Sequence, residues 1–203
     1  MPTILDTTYF QSGELFIPNS ITVPDIQDGI NMPDPEDELQ SFIDKYEKIL
    51  LVDVLGIVQY NEMMADEEPD GKWFEFKNGK EYGNKIWTGI KPLIASYVYV
   101  KYAENDKSYY TGVGMERSNA KNSTSVNPTL KLTEVWNSFV EMYQGYFQCD
   151  WRYLQPIFYF EGWDLGNFKN STYASLNEFL KAFPDDYNTE YFKRYEVKNR
   201  WGL

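Results

Sequence analysis

The chain has 203 residues, of which 25% are charged and 42% hydrophobic, a composition typical of a globular protein of about one domain. Histidine is absent and Cys149 is the single cysteine, which excludes histidine-based catalytic triads, most zinc sites and an internal disulfide framework. The sequence contains no apolar run of about 18 residues and its start, MPTILDTTYF, lacks the basic and apolar regions of a leader. We therefore expect neither a transmembrane helix nor a secretion signal.

The negative charge is concentrated in one part of the sequence. The formal net charge is −12, and residues 25–75 contain 15 acidic side chains and three lysines, whereas the rest of the chain is balanced. Such a segment repels nucleic acid and anionic lipid and favours a basic protein partner, although a solvated acidic helix face explains the same charge. Residues 25–37 lack the spacing of a calcium loop, so we predict no metal site.

The two ends of the chain are predicted to be extended arms. Residues 1–33 contain four prolines, which forbid long helices, and enough apolar side chains to require packing on the same domain or a neighbouring chain. Residues 184–203 form a mixed-charge tail with five aromatic side chains and a basic end. In a ring of identical subunits, the tail of one chain could contact the acidic segment of the next.

Helical spacing of apolar residues dominates residues 34–183, which we take as one helical domain. The first helix starts at Asp34-Pro35 with a break or close contact at Gly56, and a short helix follows the capping box of Ser175 and Glu178. The three long helical regions are predicted at 34–64, at 86–103 with the regular helix starting near Pro92, and at 129–148.

Two connections interrupt these helices. Asn78-Gly79 is the strongest short hairpin signal in the chain and predicts a two-stranded hairpin over 73–82. Residues 104–128 lack periodicity and are predicted to be a long loop, of the kind that often carries function. The expected fold is therefore mainly α: a helical bundle of three long helical regions plus a short C-terminal helix, with a small β-hairpin and extended N- and C-terminal arms.

Candidate functional residues are few. The aromatic and acidic segment 151–164 has the composition of a sugar platform, but packing of aromatic side chains on an apolar face explains it more simply. We predict no catalytic residues, no cofactor and no small-molecule substrate. Aromatic and arginine side chains in the arms and the long loop are the residue types that dominate protein interfaces. The predicted contact residues are Phe10, Phe16, Tyr109, Tyr110, Arg117, Tyr191, Arg194, Arg200 and Trp201.

The order of apolar and turn residues over 42–146 resembles that of small virion proteins from crAss-like and other Bacteroidetes-infecting phages, described as head–tail connector, adaptor or ring proteins. The residues that carry the resemblance are Phe42-Ile43, Tyr46, Leu51, Leu55-Gly56, Tyr60, Trp73, Asn78-Gly79, Tyr82, Trp87-Thr88-Gly89-Ile90, Ala95-Ser96-Tyr97-Val98-Tyr99, Tyr102, Gly112, Gly114, Asn119-Ala120 and Val135-Trp136-Asn137. The resemblance covers about half of the chain and includes no catalytic signature.

The resemblance implies a mainly helical subunit of a homo-oligomeric ring, twelve-fold in that family, between the portal protein and neighbouring tail or ring proteins. DNA would pass through the channel without sequence-specific binding, because like charge suppresses its attachment to an acidic wall. The expected location is the virion, assembled in the cytoplasm of the host bacterium, with no contact to a membrane.

Two other functions are compatible with the sequence. An acidic, aromatic-rich chain of this size suits a cytosolic binding or immunity-type protein that covers a basic partner, and the aromatic segment suits a carbohydrate-binding protein. A connector forms rings, whereas an immunity-type protein is monomeric and binds with strong salt dependence. A carbohydrate-binding protein responds to glycan in its tryptophan fluorescence.

Overall fold

A computed structural model describes residues 3–17, 35–66, 68, 70–106, 109–111, 114–116, 128–145 and 172–198 of the chain. The described part is mainly helical with small antiparallel hairpins, which confirms the predicted fold class. Its elements are a short 3₁₀ helix (Thr7–Phe10), α1 (Pro35–Ala65), α2 (Lys72–Asn78), β1 (Lys80–Tyr82), β2 (Lys85–Trp87), α3 (Lys91–Asp106), β3 (Tyr109–Thr111), β4 (Gly114–Glu116), α4 (Pro128–Gln144) and α5 (Leu176–Ala182).

Helix α3 is the centre of the bundle. It packs against both α1 and α4, and every residue from 93 to 100 is buried. The helix begins at Lys91, which confirms the start predicted from Pro92, since proline is tolerated only in the first turn. A helix that is buried on all sides lies inside a bundle. Helix α3 therefore supplies the core against which the amphipathic α1 and α4 pack.

Helix α1 contains the predicted break. Gly56 has φ of +71° and ψ of 164°, so the helical hydrogen bonding is interrupted and two helical segments meet at an angle. Leu39, Ile43 and Leu50 face the core as expected from their spacing. Ile49 follows the same apolar spacing but is exposed, because Leu50 and Leu51 occupy the inward positions of that turn.

The predicted bounds of the hairpin are wrong. Residues 73–78 belong to α2, in which Trp73 and Phe76 lie three residues apart and are both buried. Gly79 (φ of +105°) ends this helix, and its N–H donates to the carbonyl of Glu75 at 2.9 Å. The hairpin follows, with Glu81 opposite Ile86 and a turn that contains Gly83. Glycine is favoured wherever the backbone needs a positive φ, which occurs both at the end of a helix and in a hairpin turn. Asn78-Gly79 alone therefore could not distinguish the two.

The hairpin contacts both α5 and the residues that precede it. Ile86 in β2 donates to the carbonyl of Thr172 at 2.7 Å and accepts from Ala174 at 2.8 Å, so residues 172–174 run parallel beside β2. The indole of Trp87 stacks on Phe179 of α5 with ring centroids 5.1 Å apart. The capping box of Ser175 and Glu178 starts α5, as predicted.

The predicted loop over 104–128 contains regular structure in its described part. Helix α3 continues to Asp106, and β3 pairs with β4 as a second small hairpin in which Tyr110 lies opposite Met115. Residues 117–127 lie outside the described residues. The predicted start of the loop at residue 104 is therefore too early by three residues, and the absence of an apolar period does not exclude strands of three residues.

The described N-terminal residues lie on the protein's own helices. Leu5, Phe10 and Ile17 are buried in the core. The side-chain carboxylate of Glu47 accepts the backbone N–H groups of Ile4 at 2.8 Å and Leu5 at 3.0 Å. Residues 3–17 are therefore part of the folded body rather than an arm that reaches a neighbour; residues 18–34 lie outside the description.

The C-terminal tail also packs on its own chain, contrary to the expectation of a free arm. Three side-chain amides each donate to one tail carbonyl and accept one tail N–H, as a neighbouring strand would. These amide clamps are Gln59 with Asp186 and Asn188, Gln144 with Tyr195, and Asn137 with Lys198. Asn137 and Gln144 are about 10.5 Å apart along α4, which matches about 10 Å for three extended residues of the tail.

We expect Gly56→Ala to lower the free energy of unfolding by about 2–3 kcal/mol, measured by urea denaturation. The positive φ is strained for alanine, and the added Cβ would lie 2.7 Å from Cδ2 of Tyr191. Gly83→Ala is the matched control, because Gly83 also has a positive φ but has open space around it. A Gly56→Ala variant that loses no more stability than Gly83→Ala would contradict the close approach of Tyr191.

The Glu47 carboxyl should make stability depend on pH. Burial raises its pKa, although the N–H groups of Ile4 and Leu5 act in the opposite direction. Because the folded chain holds this proton more tightly than the unfolded chain, the contribution of Glu47 to stability is greatest below the usual pKa of about 4.3 and is lost as pH rises through the raised value.

The stability of the wild-type chain relative to Glu47→Gln should therefore decrease as pH rises across that window, in urea unfolding at a series of pH values. Glu38→Gln, at an exposed position of the same helix, controls for loss of a charge. An increase in the relative stability of the wild type with pH would show that the hydrogen bonds outweigh burial.

Asn137→Asp should destabilise the chain by about 1–2 kcal/mol. The change removes the Nδ2 donor to the carbonyl of Lys198, now 2.8 Å away, and places a carboxylate oxygen beside that carbonyl. Asn61→Asp, which adds the same charge at an exposed position of α1, is the control. The measurement is urea unfolding combined with limited proteolysis of residues 186–198, and equal behaviour of the two variants would argue against the clamp.

Candidate docking surface

The kink at Gly56 exposes two aliphatic side chains. Val54 and Leu55, before the glycine, are buried, whereas Ile57 and Val58, after it, are 53% and 76% exposed. β-Branched side chains are weak helix formers, so local preference does not explain their presence on an exposed helical turn. Covering either side chain completely would contribute about 1.5–3 kcal/mol before the losses of association are subtracted.

Tyr191 of the C-terminal tail completes this apolar area. Its ring lies against the backbone of Gly56, in space that any side chain at position 56 would occupy, and remains 57% exposed. Tyrosine is enriched in protein interfaces because its ring gives a large contact area at low entropic cost. We refer to Ile57, Val58 and Tyr191 as the kink surface.

Exposed carboxylates surround one side of the kink surface. Glu62 lies one helical turn after Val58, and Glu190 precedes Tyr191 in the tail. The hydrogen bonds of Gln59 and of Lys72 to the carbonyl of Asp186 hold the tail turn next to the end of α1. The exposed carboxylates of this acidic rim are Glu62, Asp185, Asp186 and Glu190.

The lysines in contact with this region are already engaged. Lys72 forms an ion pair with Glu62 at 2.8 Å, which lowers the pKa of that carboxyl, and its ammonium lies over the ring of Trp73. Lys77 donates to the carbonyl of Met63 at 2.9 Å, and Lys193 lies 3.4 Å from Asp53. The carboxylates of the acidic rim therefore outnumber the next exposed cation in the tail, Arg194.

A cluster of tyrosines supports the surface from below. The Tyr195 hydroxyl lies 3.4 Å from a carboxylate oxygen of Asp53, and its ring packs against Tyr97 and Tyr143. Burial raises the pKa of Tyr143 and of Tyr195 far above neutral, so both phenols stay protonated. Among the described residues, the Tyr143 hydroxyl has no hydrogen-bond partner. Because burial keeps these phenols neutral, we assign the cluster to packing of the tail on α3 and α4.

A cleft of about 980 Å³ lies elsewhere, between β2, the start of α3, the end of α4 and α5. Its walls combine Trp87 and Leu93 with the ion pair of Lys85 and Glu178, at 3.4 Å. Over the ranges that the structure describes, no three acidic, histidine or cysteine side chains come together as a metal site. The Ser175 hydroxyl in its lining donates to the carboxylate of Glu178 at 3.4 Å, but this pair is the capping box of α5, so we assign no chemistry to the cleft.

The structure separates the predicted contact residues into three groups. Phe16, Tyr191 and Arg194 are exposed, and Tyr191 belongs to the kink surface. Phe10 is completely buried and is a core residue, so it is not available to a partner. Tyr109 and Tyr110 form part of β3, while Arg117, Arg200 and Trp201 lie outside the described residues.

Sequence reasoning missed Ile57 and Val58. Gly56 indicated a break, but adjacent aliphatic residues such as Leu50 and Leu51 are both buried in the same helix, so spacing alone did not show that Ile57 and Val58 are exposed. The amide clamps gave no signal at all, since Gln59, Asn137 and Gln144 look like ordinary solvent-facing polar residues until the tail is placed beside them.

Comparison with models of known families, with curated proteins and with solved structures gave no match for this chain. Of the described helices, none is both long and apolar enough to cross a membrane. Function is therefore inferred from the described surface and from the resemblance that the order of residues 42–146 shows.

Proposed function

We propose that this chain is a structural subunit of the ring that connects head and tail in a tailed-phage virion, in contact with the portal protein and with neighbouring tail or ring proteins. The observation that carries the proposal is the kink surface, in which Ile57 and Val58 stay exposed on a helix whose other apolar residues are mostly buried. A subunit that functions by assembly needs such contact surfaces and no catalytic centre.

The residues behind the resemblance belong mostly to the framework of the fold. Leu55-Gly56 forms the kink of α1, and Trp87, Tyr97 and Trp136 lie in the core formed by β2, α3 and α4. The shared order of residues therefore concerns the kink of α1 and the core of the fold. This supports a common architecture with the connector proteins, and architecture is what an assembly subunit contributes.

The acidic excess of residues 25–75 supports a role beside DNA without attachment to it. Duplex DNA binds proteins mainly through release of counterions by lysine and arginine, and an acidic surface offers none of that free energy. A ring whose channel carried such carboxylates would let DNA slide. In this proposal the rings assemble in the host cytoplasm and remain in the virion.

The test is the mass of the purified particle. Light scattering over a range of concentrations, with negative-stain imaging, should detect rings of roughly a dozen subunits. Leu130→Asp places a charge at an exposed aliphatic position of α4. Comparing its particle mass with that of the wild type tests whether this face of α4 takes part in assembly. A chain that stays monomeric at every soluble concentration would contradict the ring.

A second candidate function is favoured by the same acidic rim. A monomeric binding protein of the immunity type would use this surface to cover a basic partner, and its affinity would fall steeply with salt. Particle mass separates the two functions, because the second requires no ring.

A further inference from the structure

We propose that the kink surface and its acidic rim dock a basic protein that presents aliphatic side chains, and that this partner is a different chain from the one described here. The inference goes beyond the connector proposal, since it concerns one surface and its partner whether or not the chain forms rings. It applies equally to a portal protein and to a target of an immunity-type protein.

The apolar part of the surface fixes the contact geometry. Ile57 and Val58 follow each other on α1, and the Tyr191 ring lies beside them over Gly56. Gln59 holds the tail beside this part of α1. Its side-chain amide donates to the carbonyl of Asp186 and accepts the N–H of Asn188. A rigid aromatic next to exposed aliphatic side chains is the usual composition of the centre of an interface, with charged residues at the rim.

The negative charge of the acidic rim indicates which class of molecule can bind there. Four exposed carboxylates, those of Glu62, Asp185, Asp186 and Glu190, lie beside the apolar centre, and the ammonium of Lys72 is already paired with Glu62. Nucleic acid and anionic lipid are repelled by such a field, whereas lysine and arginine side chains of a protein are attracted and steered to it. The occupant is therefore a basic protein with aliphatic residues in reach of Val58.

The described lysines of the tail do not fill this role. Lys193 and Lys198 of the tail form ion pairs with Asp53 and Glu104 of the same chain. Residues 18–34 contain three aspartates and no lysine or arginine. A second copy would add its own net charge of −12, so contact between two kink surfaces brings like charges together.

The test uses three synthetic peptides of equal length and the full chain. One combines leucine with lysine, the second combines serine with lysine, and the third combines leucine with glutamate. Fluorescence anisotropy should show binding of the leucine–lysine peptide that weakens as salt is added, with much weaker binding of the other two. Hydrogen exchange should locate the protection at residues 54–66 and 185–191.

Two matched variants decide the site. Val58→Ser should weaken binding of the leucine–lysine peptide about tenfold, whereas Leu130→Ser, an exposed aliphatic residue on α4, should leave it unchanged. Both positions are at least half exposed, so neither change threatens the fold.

The inference is overturned if Val58→Ser and Leu130→Ser bind the peptide equally, or if the serine–lysine peptide binds as tightly as the leucine–lysine peptide. It is also overturned if Val58→Ser abolishes rings seen with the wild type, because the occupant would then be a second copy. Rings that persist in Val58→Ser, with peptide binding lost, would support both proposals. A monomer that binds the peptide through Val58 would contradict the ring alone.

Discussion

The left-handed backbone of Gly56 is the constraint on which the rest of the structure depends. It interrupts α1 at the point where the C-terminal tail crosses, and the missing side chain leaves room for the ring of Tyr191. The same change of direction turns Ile57 and Val58 outward while Val54 and Leu55 stay in the core. One residue thus links the packing of the tail with the exposure of the docking surface.

The tail is an integral part of the body, and this changes how the charge of the chain is understood. Amides of Gln59, Gln144 and Asn137 bond its backbone as a strand would, and Phe192 stacks on Tyr143 with ring centroids 4.5 Å apart. Its lysines neutralise carboxylates of the same chain. The described lysines of the tail are therefore paired with Asp53 and Glu104 rather than with the acidic rim.

Local patterns account for the helices and for few of the long-range contacts. The apolar spacing and the caps predicted α1, α3, α4 and α5 because those signals act within a few residues. Asn78-Gly79 was ambiguous, since a positive φ suits both a helix end and a turn, and the burial of Trp73 and Phe76 on one helical face decided between them. Only one exposed residue of the kink surface, Tyr191, was among the predicted contacts.

The sequence by itself determined the fold class, the break at Gly56, the capping box of α5 and the excess of acid, because each depends on residue type and short spacing. The tertiary structure decided that Phe10 is buried, that the tail lies on α1 and α4, and that Val58 is exposed beside Tyr191. Those outcomes join residues separated by as many as 142 positions, such as Asp53 and Tyr195. Contacts at that separation follow from how whole elements pack, which no local pattern encodes.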